Sequence, residues 1–146
     1  MMFEDYLKEG SVRKVTPDKQ LAKSLVKMAS MRIKILESIP ITENNSFSFI
    51  ENCYEAIREI ADALMALKGF KSYSHEASIE FLKKFYSIQL TMGNVHKVDR
   101  YRKIRNDIKY RGLLTSKSEA EDVFKSTKVI LTLLLEVLKK EGLSEI

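Results

Sequence analysis

The stretch that decides the fold is Ile50-Glu51-Asn52-Cys53-Tyr54-Glu55-Ala56-Ile57-Arg58-Glu59-Ile60-Ala61-Asp62-Ala63-Leu64-Met65-Ala66-Leu67-Lys68-Gly69. Ile50, Cys53, Ile57, Ile60, Ala61, Leu64 and Leu67 recur at helical intervals, which lines them along one side of an α-helix. Gly69 stands where a glycine ends helices, because it alone enters left-handed backbone without a Cβ penalty. Glu51, Glu55, Glu59 and Asp62 fall within about a quarter turn of one another, roughly opposite the apolar stripe. Like charges at this spacing repel unless a cation answers them, and Arg58 answers only in part. The pattern predicts a solvated acidic face, or a face on which a partner subunit's basic stripe docks.

The same period continues outward in both directions. Upstream, Thr16-Pro17-Asp18 reads as a helix start, with Thr as cap, Pro at the first helical position and an acid at the positive end of the dipole. Ala22, Leu25, Ala29, Ile33 and Leu36 follow, up to Pro40, and Ile41 to Ser48 reads as a loop. Downstream, Ser74 is placed to cap a helix that turns Ala77, Phe81, Leu82, Phe85 and Ile88 inward and fades at Met92-Gly93-Asn94. The next runs from about Val95 to Arg111, with Val98, Tyr101, Ile104 and Ile108 inward and Gly112 beyond its end.

Ser116-Lys117-Ser118-Glu119 fits a capping box, in which the Ser oxygen and the Glu carboxylate each satisfy a free backbone donor. Behind it, Phe124, Leu131, Leu134 and Leu138 form one stripe and Ile130, Leu133 and Val137 another, which predicts a central helix buried on much of its circumference. Met1 to Val15 reads equally as a loose arm or a short helix. No run shows the alternation and turn chemistry of paired strands. Together these elements predict one all-α domain over residues 1–146, an antiparallel up-and-down bundle of four long helices plus a shorter fifth.

Composition agrees with a single folded domain: 146 residues, 45% hydrophobic, are enough for one core. The longest apolar stretch, Val129 to Leu138, is about half a membrane span and contains Glu136, so no transmembrane helix is predicted. Met1-Met2-Phe3-Glu4-Asp5 lacks the basic region and apolar run of a secretory signal. Cys53 is the lone cysteine, which excludes an internal disulfide, and a cytoplasmic setting is expected. No glycine-rich phosphate loop, metal-ligand spacing or nucleophile elbow is present, so neither cofactor nor metal is predicted.

The net charge is +5, and its distribution carries more than its size. Between Lys97 and Arg111, seven basic residues face only Asp99 and Asp107, a surplus equal to that of the whole chain. On a helical wheel Arg102, Arg105, Asn106 and Lys109 share one flank, with Tyr110 beside Asn106, next to the apolar face of Tyr101, Ile104 and Ile108. Arginine forks suit phosphate oxygens, while an amide and a phenol can read a base edge or a ribose. RNA or a nucleotide is the expected ligand; a solvated basic face is the plainer alternative. His75 reads as a helix-start residue bonding to backbone, and His96, just ahead of the basic helix, as the better placed of the two for function, with a surface histidine as its plainer reading. Cys53 lies on an apolar stripe as a small core residue.

Glu51 to Ala77, and then Arg102-Lys103-Ile104-Arg105-Asn106-Asp107-Ile108-Lys109-Tyr110, resemble the second, third and signature helices of HEPN domains, over roughly Asp18 to Leu138. The resemblance implies a dimeric, metal-independent ribonuclease or an RNA binder derived from one, of the kind encoded as a toxin beside a nucleotidyltransferase antitoxin. The family's signature is an Arg, a polar residue and a His four to six residues after the Arg. Arg105 and Asn106 match, but Tyr110 stands at the His position, as it does in the family members this chain is similar to. A phenol titrates near 10, far from the range a proton carrier needs at neutral pH. The departure therefore implies a homodimer that binds RNA or a nucleotide with little or no cleavage. Should the site be active, Arg105 would stabilise the charge on phosphorus, and Tyr110, His75 or His96 would move the proton.

Overall fold

The computed structural model describes residues 1–143. The chain is mostly helical: α1 (Phe3–Glu9), α2 (Lys19–Glu37), α3 (Ser46–Lys68), α4 (His75–Leu90), α5 (Met92–Arg111) and α6 (Lys117–Lys140). Two three-residue strands, β1 (Val12–Lys14) and β2 (Phe70–Ser72), pair antiparallel with Arg13 opposite Lys71. Five helices are therefore long and the short one is N-terminal, a different count from the four long and one shorter that periodicity suggests. The strands also escape it, because three residues are too few to display alternation.

The central helix is α3 rather than α6. Fourteen of its 23 residues are buried, against eight of 24 in α6, and α2, α4, α5 and α6 all pack on it. Burial reaches its polar side as well, where Glu59 is only 6% exposed. Both apolar stripes of α6 are taken up within the fold: Ile130, Leu131, Leu134, Val137 and Leu138 are buried and Leu133 is partly buried.

Local signals place most helix ends. Ser74 accepts from the Ala77 amide at 3.3 Å, and Ser116 and Glu119 form the reciprocal capping box, through contacts of 3.1 and 3.2 Å. Gly69 and Gly112 close α3 and α5 in left-handed conformation. Two boundaries move. The cap of α2 is Asp18, accepting from Leu21 at 2.9 Å, because the preceding residues are held extended by Val15 N–H to Gly69 O and Asp18 N–H to Ala66 O. Between α4 and α5 a single residue, Thr91, turns the chain at φ 73°, and Asn94 bonds back to Leu90 O at 2.8 Å, which draws Gly93 and Asn94 into the first turn of α5. Ile88, expected inward, is 90% exposed, because Tyr86 leaves helical geometry (φ −136°, ψ 20°) and rotates the last turn of α4 relative to the rest.

Helix direction is set by which residues meet. Ser78 donates to Asp62, and Lys68 lies over the rings of Phe85 and Tyr86, so α4 runs the same way as α3. Ser46 meets Thr115 and Phe49 meets Phe124, which sets α6 the same way too. Glu55 against Arg105 and Glu76 against Arg102 set α5 opposite to both α3 and α4. The result departs from up-and-down alternation, and β2 is the reason: it carries the chain back along α3 before α4 begins. The N-terminal residues, left open between arm and helix, pin that return. Phe3 sits in a ring cluster with Phe70, Phe81 and Phe85, at 5.3 to 5.8 Å.

The return depends on Gly69, at φ 83°, where a Cβ would lie 2.7 Å from the backbone oxygen of Val15. Gly112 has a similar φ of 64° with open space around it. Gly69→Ala should therefore lower stability by about 2–3 kcal/mol through strain and a backbone clash, and Gly112→Ala by only about 1 kcal/mol. Thermal unfolding of both variants checks this, and equal losses would count against the crowded turn.

Candidate functional site

Because α4 starts alongside the middle of α3, its N-terminus faces the C-terminal half of α5 across a cleft of about 300 Å³. Arg102, Arg105, Asn106, Lys109 and Tyr110 line the α5 side, and Ser74, His75 and Glu76 the α4 side. The flank read from the helical wheel is thus one wall of a real concavity. The other wall comes from a helix start about 30 residues earlier in the chain.

The five α5 residues differ in what they have to offer. Arg102 is committed to acids within the chain, donating to Asp99 at 3.2–3.3 Å and to Glu76 at 3.3 Å. Arg105 is held in place: its Nη1 donates to the Asn106 side-chain carbonyl at 3.1 Å, and its Nη2 lies 3.7 Å from Glu55. That bond takes up the Asn106 oxygen and leaves its amide hydrogens for another acceptor. Lys109 and Tyr110 are exposed, Tyr110 by 71%, with the Lys109 ammonium 5.5 Å from the centre of the Tyr110 ring. On the opposite wall, Ser74 satisfies the Ala77 amide, and the preceding amides of the first turn carry the positive end of the α4 dipole toward the cleft.

Behind the α5 wall, where Glu55 meets Arg105, α3 carries a row of paired charges. Arg58 bridges Glu55 at 2.8 Å and Asp62 at 3.2 Å, and Arg32 of α2 takes both oxygens of Glu59 at 3.0 Å while also donating to Asn52. This corrects the expectation of a solvated acidic face for three of its four acids: Glu55, Glu59 and Asp62 are answered by the chain's own cations, Arg105 among them, while no such pair involves Glu51 among the described residues. Burial disfavours the charge on Glu55, yet the Arg58 hydrogen bond and the surrounding cations hold its carboxyl below the usual range. Asp62 sits deeper, and burial pushes its carboxyl up to about 6 despite Arg58 and Ser78.

The structure reverses the expected order of the two histidines. His96 is exposed on the first turns of α5 and takes no part in the cleft. His75 lines it, half-buried, with its ring stacked on Tyr54 at 6.0 Å and an interplanar angle of 28°. Burial, and then the charges of Arg58 and Arg105, lower its pKa from 6.5 and so disfavour the protonated imidazole. The stacked Tyr54 is 1% exposed, its hydroxyl has no hydrogen-bond partner, and burial pushes its pKa up against the opposing effect of Arg58, Arg102 and Arg105. Spacing along one helix could not reveal His75 or Tyr54, because each reaches the site from a different element. Cys53 is buried, its thiol pushed up to about 12 by desolvation.

Among the described residues no group of His, Cys, Asp and Glu could hold a metal ion, and no helix is long and apolar enough to cross a membrane. No protein-family model, characterised protein or solved structure matches the chain.

The geometry sets a pH dependence. A histidine whose folded pKa is depressed binds its proton less readily in the native state, so its contribution costs stability as pH falls below 6.5 and is absent above it. The His75 ring resonances, followed by NMR, should titrate below 6.5 and move upward in Arg105→Ala, where one of the opposing charges is gone. A His75 pKa at or above 6.5, or one indifferent to Arg105, would contradict this electrostatic origin.

Proposed function

We propose that the chain binds RNA or a nucleotide through its phosphate and ribose in the cleft between α4 and α5. The observation that carries this reading is the convergence on one concavity of Arg105, Asn106 and Lys109 with a helix N-terminus. Guanidinium, amide, ammonium and helix-start groups line the same space, a set of donors that suits a phosphate better than a neutral ligand. Arg105 would hold the phosphate, Asn106 the ribose or a base edge, Lys109 the neighbouring charge, and Tyr110 an aromatic face. Arg102, bound to Asp99 and Glu76, positions the wall rather than the ligand. The resemblance of residues 102–110 to the HEPN signature helix supports the same ligand class, and with it a homodimer and a nucleotidyltransferase partner. For the homodimer, the exposed stripe on α2, Leu21, Met28, Met31 and Ile35, offers the apolar surface that α6 buries within its own fold.

A second reading, metal-independent cleavage, is favoured by one observation, the half-buried imidazole of His75 lining the cleft and stacked on Tyr54. His75 would take the proton of the ribose 2′-hydroxyl as that oxygen attacks phosphorus. The 5′-oxygen would leave with a proton from solvent, giving a 2′,3′-cyclic phosphate. Arg105 would stabilise the charge that develops in between. Without His75 the cleft retains its affinity and loses its base.

Binding of a labelled RNA oligonucleotide across a salt series tests the first reading. The double variant Arg105→Ala, Lys109→Ala should weaken binding and reduce the log–log salt slope by roughly one to two units, while its circular dichroism stays that of the wild type. An unchanged slope would move the site elsewhere. Incubation of wild-type protein and His75→Ala with mixed RNA in EDTA separates binding from cleavage, because only the second reading expects products that vanish in the variant.

A further inference from the structure

We propose that the β1–β2 ribbon is a second platform for single-stranded RNA, continuous with the cleft, on which Tyr73 stacks against an unpaired base while Arg13 and Lys71 hold the flanking phosphates. The proposal rests on the reading of the cleft as an RNA site and extends it from one nucleotide to a strand.

Strand geometry puts these three side chains together. Lys71 and Tyr73 are two residues apart and so share one side of the extended chain, and Arg13 is the direct partner of Lys71 across the ladder. The other side of the ribbon is the one the core uses, through buried Val12 and through Phe70 in the ring cluster around Phe3. Tyr73 is 61% exposed, with the Arg13 guanidinium 5.4 Å and the Lys71 ammonium 5.5 Å from its ring centre. Neither cation has an acidic partner among the described residues, and neighbouring Glu9 takes the Ser11 hydroxyl instead. An exposed aromatic ring with two uncommitted cations beside it contributes nothing to the core, so the fold alone does not account for it.

The ribbon also lies where a bound strand would pass. Tyr73 directly precedes Ser74 and His75, which line the cleft, and the far wall carries the same combination in Tyr110 and Lys109. An exposed tyrosine with a cation over its ring therefore stands on each side of the phosphate-binding concavity. An unpaired base offers its face to such a ring, whereas a duplex hides its faces in the stack, which selects single strands over double.

The experiment compares wild-type protein, Tyr73→Ala, Tyr73→Phe and the double variant Arg13→Gln, Lys71→Gln. Each is titrated with a labelled single-stranded RNA octanucleotide by anisotropy, with the same sequence as a duplex, and with the dinucleotide UpU by NMR. Tyr73→Ala should weaken octanucleotide binding by about tenfold, Tyr73→Phe should preserve it, and UpU binding should not change in either. The double variant should weaken the octanucleotide and flatten its salt dependence. Octanucleotide affinity that survives Tyr73→Ala but falls in Arg105→Ala would overturn the ribbon and leave the cleft standing, as would tighter binding of the duplex. A wild-type protein that binds neither oligonucleotide nor UpU would overturn both.

Discussion

The contact on which the rest of the structure depends is the close approach of Gly69 to the backbone of Val15. A left-handed residue without a side chain lets α3 end against that carbonyl, and the hydrogen bond from Val15 N–H to Gly69 O, at 2.8 Å, turns the end of the helix into the start of a strand pair. Had the chain entered α4 directly, the next helix would have folded back along α3 in the opposite sense. The ribbon returns it first, so α4 begins over Tyr54 and Glu55 instead of at the far end of α3. Cleft, stacked histidine and exposed ribbon are consequences of that one reversal.

The second constraint is the charge on α3. A helix buried around most of its circumference cannot leave Glu55, Glu59 and Asp62 without partners, since an unpaired buried carboxylate costs more than almost any contact can return. Arg32, Arg58 and Arg105 answer them, each from a different position: α2, α3 itself and α5. These pairs fix how three helices meet, and that specificity is a firmer consequence than any net gain in stability. They also sort the cations of the chain. Those on the inner side of α5 are spent or steered by acids, Arg105 being held in place by Glu55, while Lys109, Arg13 and Lys71 are exposed with no acidic partner among the described residues.

Helix spans and ends were legible in the sequence wherever the signal is local. Ser74, Ser116 with Glu119, Gly69 and Gly112 each act within one turn, and each stands where a reading of the chain puts it. Signals that depend on distant residues were not legible. Val15 and Ala66 hold the residues before α2 extended and shift its cap from Thr16 to Asp18; the break at Tyr86 sends Ile88 outward; and α3 can be buried at the centre because its acids find distant cations, Arg32 for Glu59, 27 residues away, and Arg105 for Glu55. For the site, one wall was legible because Arg105, Asn106, Lys109 and Tyr110 share a helical flank. His75 was legible as a helix-start residue and as one of three candidates to move a proton, but no period connects it to α5 and so nothing put it beside Arg105.

If the cleft holds a phosphate as proposed, the same charges would link its binding to the state of His75. Arg58, Arg105 and Lys109 each disfavour a proton on its imidazole, beyond the effect of burial, and Glu55 only partly offsets them. A phosphate seated against Arg105 and Lys109 would cancel part of that field, so an occupied cleft must raise the pKa of His75 relative to an empty one. By linkage the converse holds to the same extent, and protonation of His75 must tighten the hold on the phosphate. A base that becomes more basic on binding is suited to taking a proton from the ligand. Should no proton be available to take, as with a ligand lacking the 2′-hydroxyl, the same coupling makes the cleft bind more tightly as pH falls below 6.5. On the proposed reading, cleavage and pH-dependent retention would be two outcomes of one electrostatic arrangement, and the chemistry of the ligand would decide between them.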